Sequence, residues 1–221
     1  MAFEYLFAGV PSRVTIELTP DPKGDASRSQ LALQHSFERR LGVPYEDELV
    51  DDLWRLTCGN LDAHLRGGEG IVLPDYTDAH PEVRLSIVID APREAVFRAL
   101  LEPEALKRWI GASAPVVEPR VGGRYEYGWH YDHKGKQVTG GPTKILDIVT
   151  NERLVTDWLD WRGDSTRPLT RLAWLLESAG TKTRLTLVHD GFSRTPDIGD
   201  YPFGWLWFLE QLKKEAEVRI G

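Results

Sequence analysis

Apolar residues alternate with polar ones in several short runs of this chain and recur every three to four residues in others. Alternation predicts β-strands, and it occurs in four sets: Val14, Ile16, Leu18; Leu31, Leu33; Leu172, Trp174, Leu176; and Leu185, Leu187. Helical spacing places two more sets on single faces: Val50, Leu53, Trp54, Leu61, Leu65; and Trp205, Phe208, Leu209, Leu212, Ala216. The pattern therefore predicts two hairpins, each followed by an amphipathic helix, and the glycines at 67, 68 and 70 predict the end of the first helix.

The stretch RSQLALQHSFER at residues 28–39 returns, with a one-residue gap, as TRLTLVHDGFSR at residues 183–194. The likeness extends to both sides, because residues 12–20 align with 169–177 and the helical pattern of 53–65 aligns with 204–216. The repeated unit is strand, turn, strand, loop, helix. A solenoid needs at least three adjacent repeats, so two distant copies favour a tandem duplication instead.

The segment between the copies has no counterpart in the first copy. Residues 84–90 alternate as a strand, and residues 90–110 form a helical pattern that Asp90 and Pro92 open and Pro103 breaks. A run of further strands follows, and the first of them places three aromatic side chains on one face: Tyr125, Tyr127 and Trp129.

These elements resemble a known family. The segments IDAPREAVFRALLEPEALKRW, VGGRYEY, NERLVTDW, TRLTLVHDGF and GWLWFLEQLKKEAE stand in the order typical of the START-like helix-grip superfamily (SRPBCC), in the branch named after the activator of the heat-shock-chaperone ATPase. Asn151 replaces a proline that many relatives carry, which affects only a turn. The resemblance implies an α+β fold in three parts: a partial START-like repeat over 1–69, a linker over 70–82, and a complete START-like domain over 83–221.

The family fold wraps a curved antiparallel sheet on the long C-terminal helix and leaves a cavity between them. The resemblance therefore implies a binding site for an apolar or aromatic small molecule, with Trp109 near its mouth. The strand and helix patterns select these inward-facing candidates: Trp109, Tyr125, Tyr127, Trp129, Trp158, Trp174, Leu187, His189, Trp205, Phe208 and Leu209. Packing alone also explains such an aromatic set, since the chain has eight tryptophans.

Composition narrows the class of protein. The net charge of −7 and the pI near 5.4 argue against a nucleic-acid partner. A single cysteine, Cys58, excludes an intramolecular disulfide and is typical of a reducing interior. No apolar run is long enough to span a membrane, and the N-terminus lacks the pattern of a signal peptide. We therefore expect a cytoplasmic protein.

Candidate chemistry is sparse. His189 is either a ligand-orienting group or base, or a hydrogen-bonded histidine at a strand end beside Asp190, and the structural interpretation is favoured for it and for its repeat partner His35. His130, Asp132 and His133 flank a Lys-Gly-Lys turn, which favours a solvated hairpin tip over a metal site.

Two further features of the sequence resemble functional motifs only superficially. Residues 140–144, GGPTK, lack phosphate-loop spacing, and Cys58 is predicted to be inert core. The sequence indicates no catalytic residue, metal or cofactor.

Three functions stay open: a small-molecule-binding protein, a cyclase-like or other enzyme that uses the same cavity, and a protein-interaction module like the chaperone-activating relatives. The partial copy adds a second question, because a hairpin and one helix are too small to fold alone with confidence. Residues 1–69 extend the sheet of the same chain, form a homodimer, or remain from a longer duplicated protein.

Overall fold

The computed structural model describes residues 1–7, 9–42, 46–68, 70, 78, 80–133, 135–161, 168–193, 198–199 and 201–218. The predicted linker over 70–82 therefore lies mostly outside the described residues. The chain divides into two compact units, Met1–Asp51 and Asp52–Gly221. Each unit has its own antiparallel sheet, so the chain is α+β as predicted.

The first unit contains three strands, β1 (Ala2–Phe7), β2 (Val10–Pro20) and β3 (Ser29–Phe37), in the order β1-β2-β3. The pattern predicted β2 and β3 but missed β1, because AFEYLF lacks a clean alternation of apolar and polar residues. The first unit thus has three strands where the sequence predicted two.

Helix α1 (Glu46–Leu65) begins in the first unit and ends in the second. Its end is as predicted: Gly67 has φ +73°, and the N–H groups of Gly67 and Gly68 donate to the carbonyls of His64 and Ala63, which is the Schellman pattern. The predicted face is only partly buried: Leu53 is buried, and Val50 and Trp54 are half-buried. Leu61 and Leu65 are exposed, and the buried stripe comprises Leu49, Leu53 and Leu56.

The inert-core prediction for Cys58 is wrong as well, since its side chain is exposed. Cys58 lies two positions after Leu56, and therefore about 200° around the helix from it. Leu61 and Leu65, three and seven positions after Cys58, share its face and are exposed as well.

The second unit is built on a five-stranded antiparallel sheet in the order β4-β12-β11-β10-β9. Its elements are β4 (Val83–Ile89), α2 (Arg93–Leu101), α3 (Pro103–Trp109), β5 (Val116–Val117), β6 (Tyr125–Glu126), β7 (Tyr131–His133), β8 (Lys136–Val138), β9 (Ile145–Val149), β10 (Arg153–Trp158), β11 (Thr170–Ala179), β12 (Lys182–Asp190) and α4 (Tyr201–Val218). Helix α4 packs on β4, α2 and α3, and it buries Trp205, Leu209, Leu212 and Ala216 in the main core. This is the expected helix-grip arrangement.

Two local predictions need correction. Asp90 does not cap α2, whose N-cap is Pro92 without a side-chain hydrogen bond, and the Asp90 carboxylate instead pairs with Lys182 at 2.9 Å. The strand expected to carry three aromatic residues ends at Glu126. Gly128 follows with φ +70°, and a Cβ there would lie 2.7 Å from the backbone nitrogen of Ala114, so only glycine fits this bend.

Candidate functional site

An aromatic pocket of about 310 Å³ lies in the second unit. Seven of its eight lining residues carry an aromatic ring and the eighth is a glycine: Trp129, Tyr131, Trp158, Trp161, Tyr201, Gly204, Trp205 and Phe208. We call this set the aromatic pocket. Its volume lies at the small end of the range for ligand sites.

Helix α4 supplies half of the pocket. Tyr201, Gly204, Trp205 and Phe208 follow the i, i+3, i+4, i+7 spacing, so they share one face of the helix. A Cβ added at Gly204 would meet no atom within 4 Å, although this glycine stands inside a helix where alanine would be more stable. The missing side chain therefore leaves room in the pocket.

Hydrogen bonds hold the rings of the wall in place. The indole N–H of Trp158 donates to the Tyr201 hydroxyl at 2.9 Å, and that hydroxyl donates to Oδ1 of Asp160 at 3.2 Å. The Tyr131 hydroxyl donates to the carbonyl of Trp161, while the Trp129 indole donates to the carbonyl of Gly111. These polar atoms are engaged within the protein, so the wall offers the pocket mainly ring surface.

The rings of the wall also pack on one another. The rings of Trp158 and Trp205 meet at 4.8 Å and 64°, and those of Trp129 and Trp158 at 6.0 Å and 84°. Trp129 and Phe208 are closer to parallel, at 5.9 Å and 25°. Such edge-to-face and offset contacts are favourable, and they make the wall rigid.

His189 lies behind the wall. It is fully buried, and both ring nitrogens have partners. The indole N–H of Trp205 donates to Nδ1 at 3.0 Å, so Nδ1 must be the acceptor nitrogen of the ring. The ring proton therefore sits on Nε2, which donates to the Thr170 hydroxyl at 2.7 Å. Burial lowers the pKa of His189 to about 3. The ring is therefore neutral near pH 7 and has no nitrogen available to a substrate.

The same hydrogen-bond pattern occurs in the first unit. Nε2 of His35 lies 2.8 Å from the Ser12 hydroxyl, which donates to the carbonyl of Tyr5 at 2.7 Å. In the second unit the Thr170 hydroxyl likewise reaches the carbonyl of Trp158, at 3.4 Å.

Strand pairing fixes this equivalence. Val14 faces His35 across the first sheet, and Leu172 faces His189 across the second. The sequence alignment of 12–20 with 169–177 placed Val14 over Arg171 and is therefore wrong by one residue, which in a strand exchanges the two faces.

The eleven candidates fall into two groups. Four line the aromatic pocket, namely Trp129, Trp158, Trp205 and Phe208. The other seven are buried in the core and do not line the pocket: Trp109, Tyr125, Tyr127, Trp174, Leu187, His189 and Leu209.

Two of the buried candidates differ from the specific roles expected of them. Trp109 does not lie near a mouth: it is 1% exposed, and its indole donates to the carbonyl of Ala99. Tyr127, a candidate for orienting a ligand, is also 1% exposed, and within the described residues its hydroxyl makes no hydrogen bond.

Sequence reasoning missed four lining residues. Tyr201 and Gly204 precede Trp205 by four and one positions on α4, so helical spacing could have found Tyr201. Gly204 has no side chain for a pattern to detect. Tyr131 lies in a three-residue strand and Trp161 follows the end of β10, where no periodicity applies.

The other weighed motifs are tied into local structure. Nδ1 of His130 lies 3.1 Å from the Thr139 hydroxyl, and Asp132 accepts from the backbone N–H of Gly135 in the turn between β7 and β8. The side chain of His133 is outside the described residues. In the part of the chain that the structure describes, no three metal-ligating side chains cluster.

The backbone N–H groups that follow the glycine pair at 140–141 already have a hydrogen-bond acceptor within the protein. The carboxylate of Asp157, 3% exposed, accepts from the backbone N–H groups of Thr143 and Lys144 at 2.7 and 2.9 Å. These amides therefore hold a protein carboxylate where a phosphate loop would hold its ligand.

Comparison with known proteins identifies the family. A family model described as Activator of Hsp90 ATPase homolog 1-like protein matches residues 90–217, more than half of the chain. This chain belongs to that family. The membership agrees with the element order and the helix-grip arrangement of the second unit. No curated protein gives a significant match, and no helix of the described residues has both the length and the apolarity needed to cross a membrane.

Several solved structures are similar to this chain. An uncharacterised protein from Rhizobium leguminosarum is 21% identical, with a TM-score of 0.50, over 62% of this chain and 95% of that one. The Aha1 dimer from Colwellia psychrerythraea is 20% identical (TM-score 0.48) over 63% of this chain and 98% of its own. A protein from Chromobacterium violaceum is 27% identical (TM-score 0.46) over 62% and 96% of the two chains. At 21% identity, the similarity to the Rhizobium leguminosarum protein concerns the fold alone.

Proposed function

We propose that this protein binds an apolar or aromatic small molecule in the aromatic pocket. One observation carries the proposal: seven rings and a helical glycine surround a cavity of about 310 Å³. A ligand that displaces water from a space of that size lined by apolar surface binds with a favourable free energy. Because the glycine costs about 1 kcal/mol of helix stability relative to alanine, the open space is a feature that binding would explain and packing would not.

The geometry favours binding over catalysis. His189, which the sequence raised as a possible base, donates and accepts within the core at 2.7 and 3.0 Å. A substrate could reach a ring nitrogen only after Trp205 or Thr170 moved. The namesake of the family is a chaperone activator, but the aromatic pocket gives that interaction no particular support.

Titration with naphthalene tests the proposal. Four tryptophans line the pocket, so binding should change tryptophan fluorescence saturably and raise the melting temperature. In Gly204→Leu the new side chain points into the open space, and the fluorescence response should disappear. Phe208→Leu should weaken it, since this ring forms part of the wall.

Trp207→Leu is the matched control. Trp207 is 57% exposed on the same helix and does not line the pocket, so the variant should bind naphthalene as the unaltered chain does. Melting curves identify variants that have lost the fold. A linear, non-saturating response, or equal binding by a folded Gly204→Leu variant, would overturn the proposal.

A further inference from the structure

We propose that the natural ligand of the aromatic pocket is an organic cation of the quaternary ammonium class, with the charged head joined to an apolar or aromatic body. This inference rests on the proposed binding function and adds the charge of the ligand. It draws on three properties of the wall: the kind of apolar surface, the state of its polar atoms, and a carboxylate behind it.

The first property is that every side chain lining the pocket is aromatic. A neutral apolar ligand needs only surface that excludes water, which leucine or valine supplies as well. Aromatic rings differ from aliphatic groups because their faces carry negative potential and attract cations. Trp158 meets Trp129 at 84° and Trp205 at 64°. The wall thus contains rings in more than one orientation, and all of them line the same cavity.

The second property is that the polar atoms of the wall are already bonded. The Trp158 indole donates to Tyr201, the Trp129 indole to Gly111, and the Tyr131 hydroxyl to a backbone carbonyl. A primary ammonium buried here would lose hydrogen bonds to water and find few acceptors, which is costly. A quaternary ammonium has no N–H group, so its burial leaves no donor unmet.

The third property is the charge behind the wall. Asp160 is 9% exposed, and its Oδ1 accepts a hydrogen bond from Tyr201, whose ring lines the pocket. A carboxylate one hydrogen bond from the cavity attracts a cation and repels an anion. Its negative charge has the same sign as the potential of the ring faces.

Two probes of the same shape isolate the charge. Phenyltrimethylammonium and tert-butylbenzene differ in one central atom, nitrogen or carbon, and hence in one positive charge. We expect the full-length chain to bind the cation at least about tenfold more tightly, measured by tryptophan fluorescence and calorimetry at one salt concentration. Asp160→Asn keeps an oxygen to accept from Tyr201 but removes the charge, so it should weaken the cation several-fold and leave the neutral probe unchanged.

Trp129→Leu tests the rings, because leucine keeps an apolar wall and removes a π face. It should reduce the affinity for the cation by a larger factor than the affinity for tert-butylbenzene. Gly204→Leu controls for attraction to the acidic surface: it leaves the net charge of −7 unchanged, so cation binding that survives in it does not occur in the pocket.

The outcomes separate the two proposals. If tert-butylbenzene binds as tightly as the cation, or more tightly, the cation inference fails while the binding function stands. If neither probe nor naphthalene binds saturably, both fail. A preference for the cation that Asp160→Asn and Trp129→Leu both reduce supports the inference.

Discussion

His35 and His189 occupy equivalent places in two sheets, yet their surroundings differ. Each donates or accepts through Nε2 at a hydroxyl of the neighbouring strand, and each hydroxyl reaches the carbonyl of an aromatic residue on the next strand. His189 is fully buried and also bonded by Trp205, whereas His35 is half-buried. The hydrogen-bond pattern is thus a property of the paired strands, and the burial depends on what covers them.

The comparison has a consequence for the origin of the chain. Four positions match by strand pairing: the two histidines, the apolar residues opposite them, the hydroxyl residues Ser12 and Thr170, and the aromatic residues Tyr5 and Trp158. A tandem duplication accounts for such a match, and we propose it on this ground. Under it, the first copy keeps the strand core but not the strands and helix pair that complete the second unit.

The largest expected effect is a pH dependence from His189. Its pKa is about 3 in the folded state and about 6.5 in the unfolded chain. Between those values the unfolded chain binds a proton that the folded protein does not. The free energy of unfolding should therefore fall as the pH drops from 6.5 towards 3, by up to about 4–5 kcal/mol in total from this residue.

Denaturant unfolding from pH 7 to pH 4 measures this effect in the unaltered chain and in His189→Gln. The difference in free energy between the two should shrink as the pH falls, because the variant lacks the titrating group. His35→Gln is the comparison. Burial lowers the pKa of His35 as well, but His35 is only half-buried, so the pH profile of His35→Gln should differ less from that of the unaltered chain. Parallel profiles for His189→Gln and the unaltered chain would contradict the assigned burial.

Removing the two hydroxyls should have an intermediate effect. Thr170→Val leaves the buried Nε2–H of His189 without an acceptor, and we expect it to cost about 1–3 kcal/mol of stability. Ser12→Ala removes the equivalent group beside His35. Ser12 is itself buried, but the half-exposed His35 ring can bond to water, so the cost should be smaller than for Thr170→Val. Chemical denaturation of both variants checks the order. Equal losses would mean that the two histidines are covered alike.

A smaller difference in stability is expected between alanine variants of two glycines, Gly204 on α4 and Gly59 on α1. Gly204→Ala on α4 adds a Cβ in open space and should stabilise the protein by up to about 1 kcal/mol. Gly59→Ala on α1 puts a Cβ 2.6 Å from Cε2 of Phe203, so the ring must move and the gain should vanish. Melting temperatures of the two variants make the comparison, and a stabilised Gly59→Ala would show that Phe203 shifts freely.

The smallest effect on stability is expected from Leu18 and Leu31, which face each other across β2 and β3 and are 70% and 40% exposed. Changing both to lysine should alter the free energy of unfolding by no more than about 0.5 kcal/mol each.

The homodimer through residues 1–69 stays a prediction, and these variants test it. Light scattering should give the mass of a dimer for the unaltered chain and of a monomer for the double variant. A monomer in both cases would contradict the dimer.

The fold of the second unit was accessible from sequence because its signals are periodic. Alternation located β11 and β12, helical spacing located α4, and the order of motifs led to the helix-grip family. The same reasoning failed where periodicity is absent or misleading. It missed β1, and it rotated the buried face of α1 onto Leu61 and Leu65, because an apolar residue in a helix reveals its burial only when its packing partner is known.

The candidate site divides in the same way. Trp158 and Trp205 were found because they lie on periodic elements, and Tyr131 and Trp161 were missed because they lie in irregular ones. The sequence by itself determined the strands β2, β3, β11 and β12, the final helix, the family and the abundance of tryptophan. Only the tertiary structure decided which rings line a cavity and which fill the core, because a ring faces open space or a neighbour according to how distant segments meet. It likewise decided that His189 is a bonded, neutral core residue, since that depends on Thr170 and Trp205 approaching it from opposite sides.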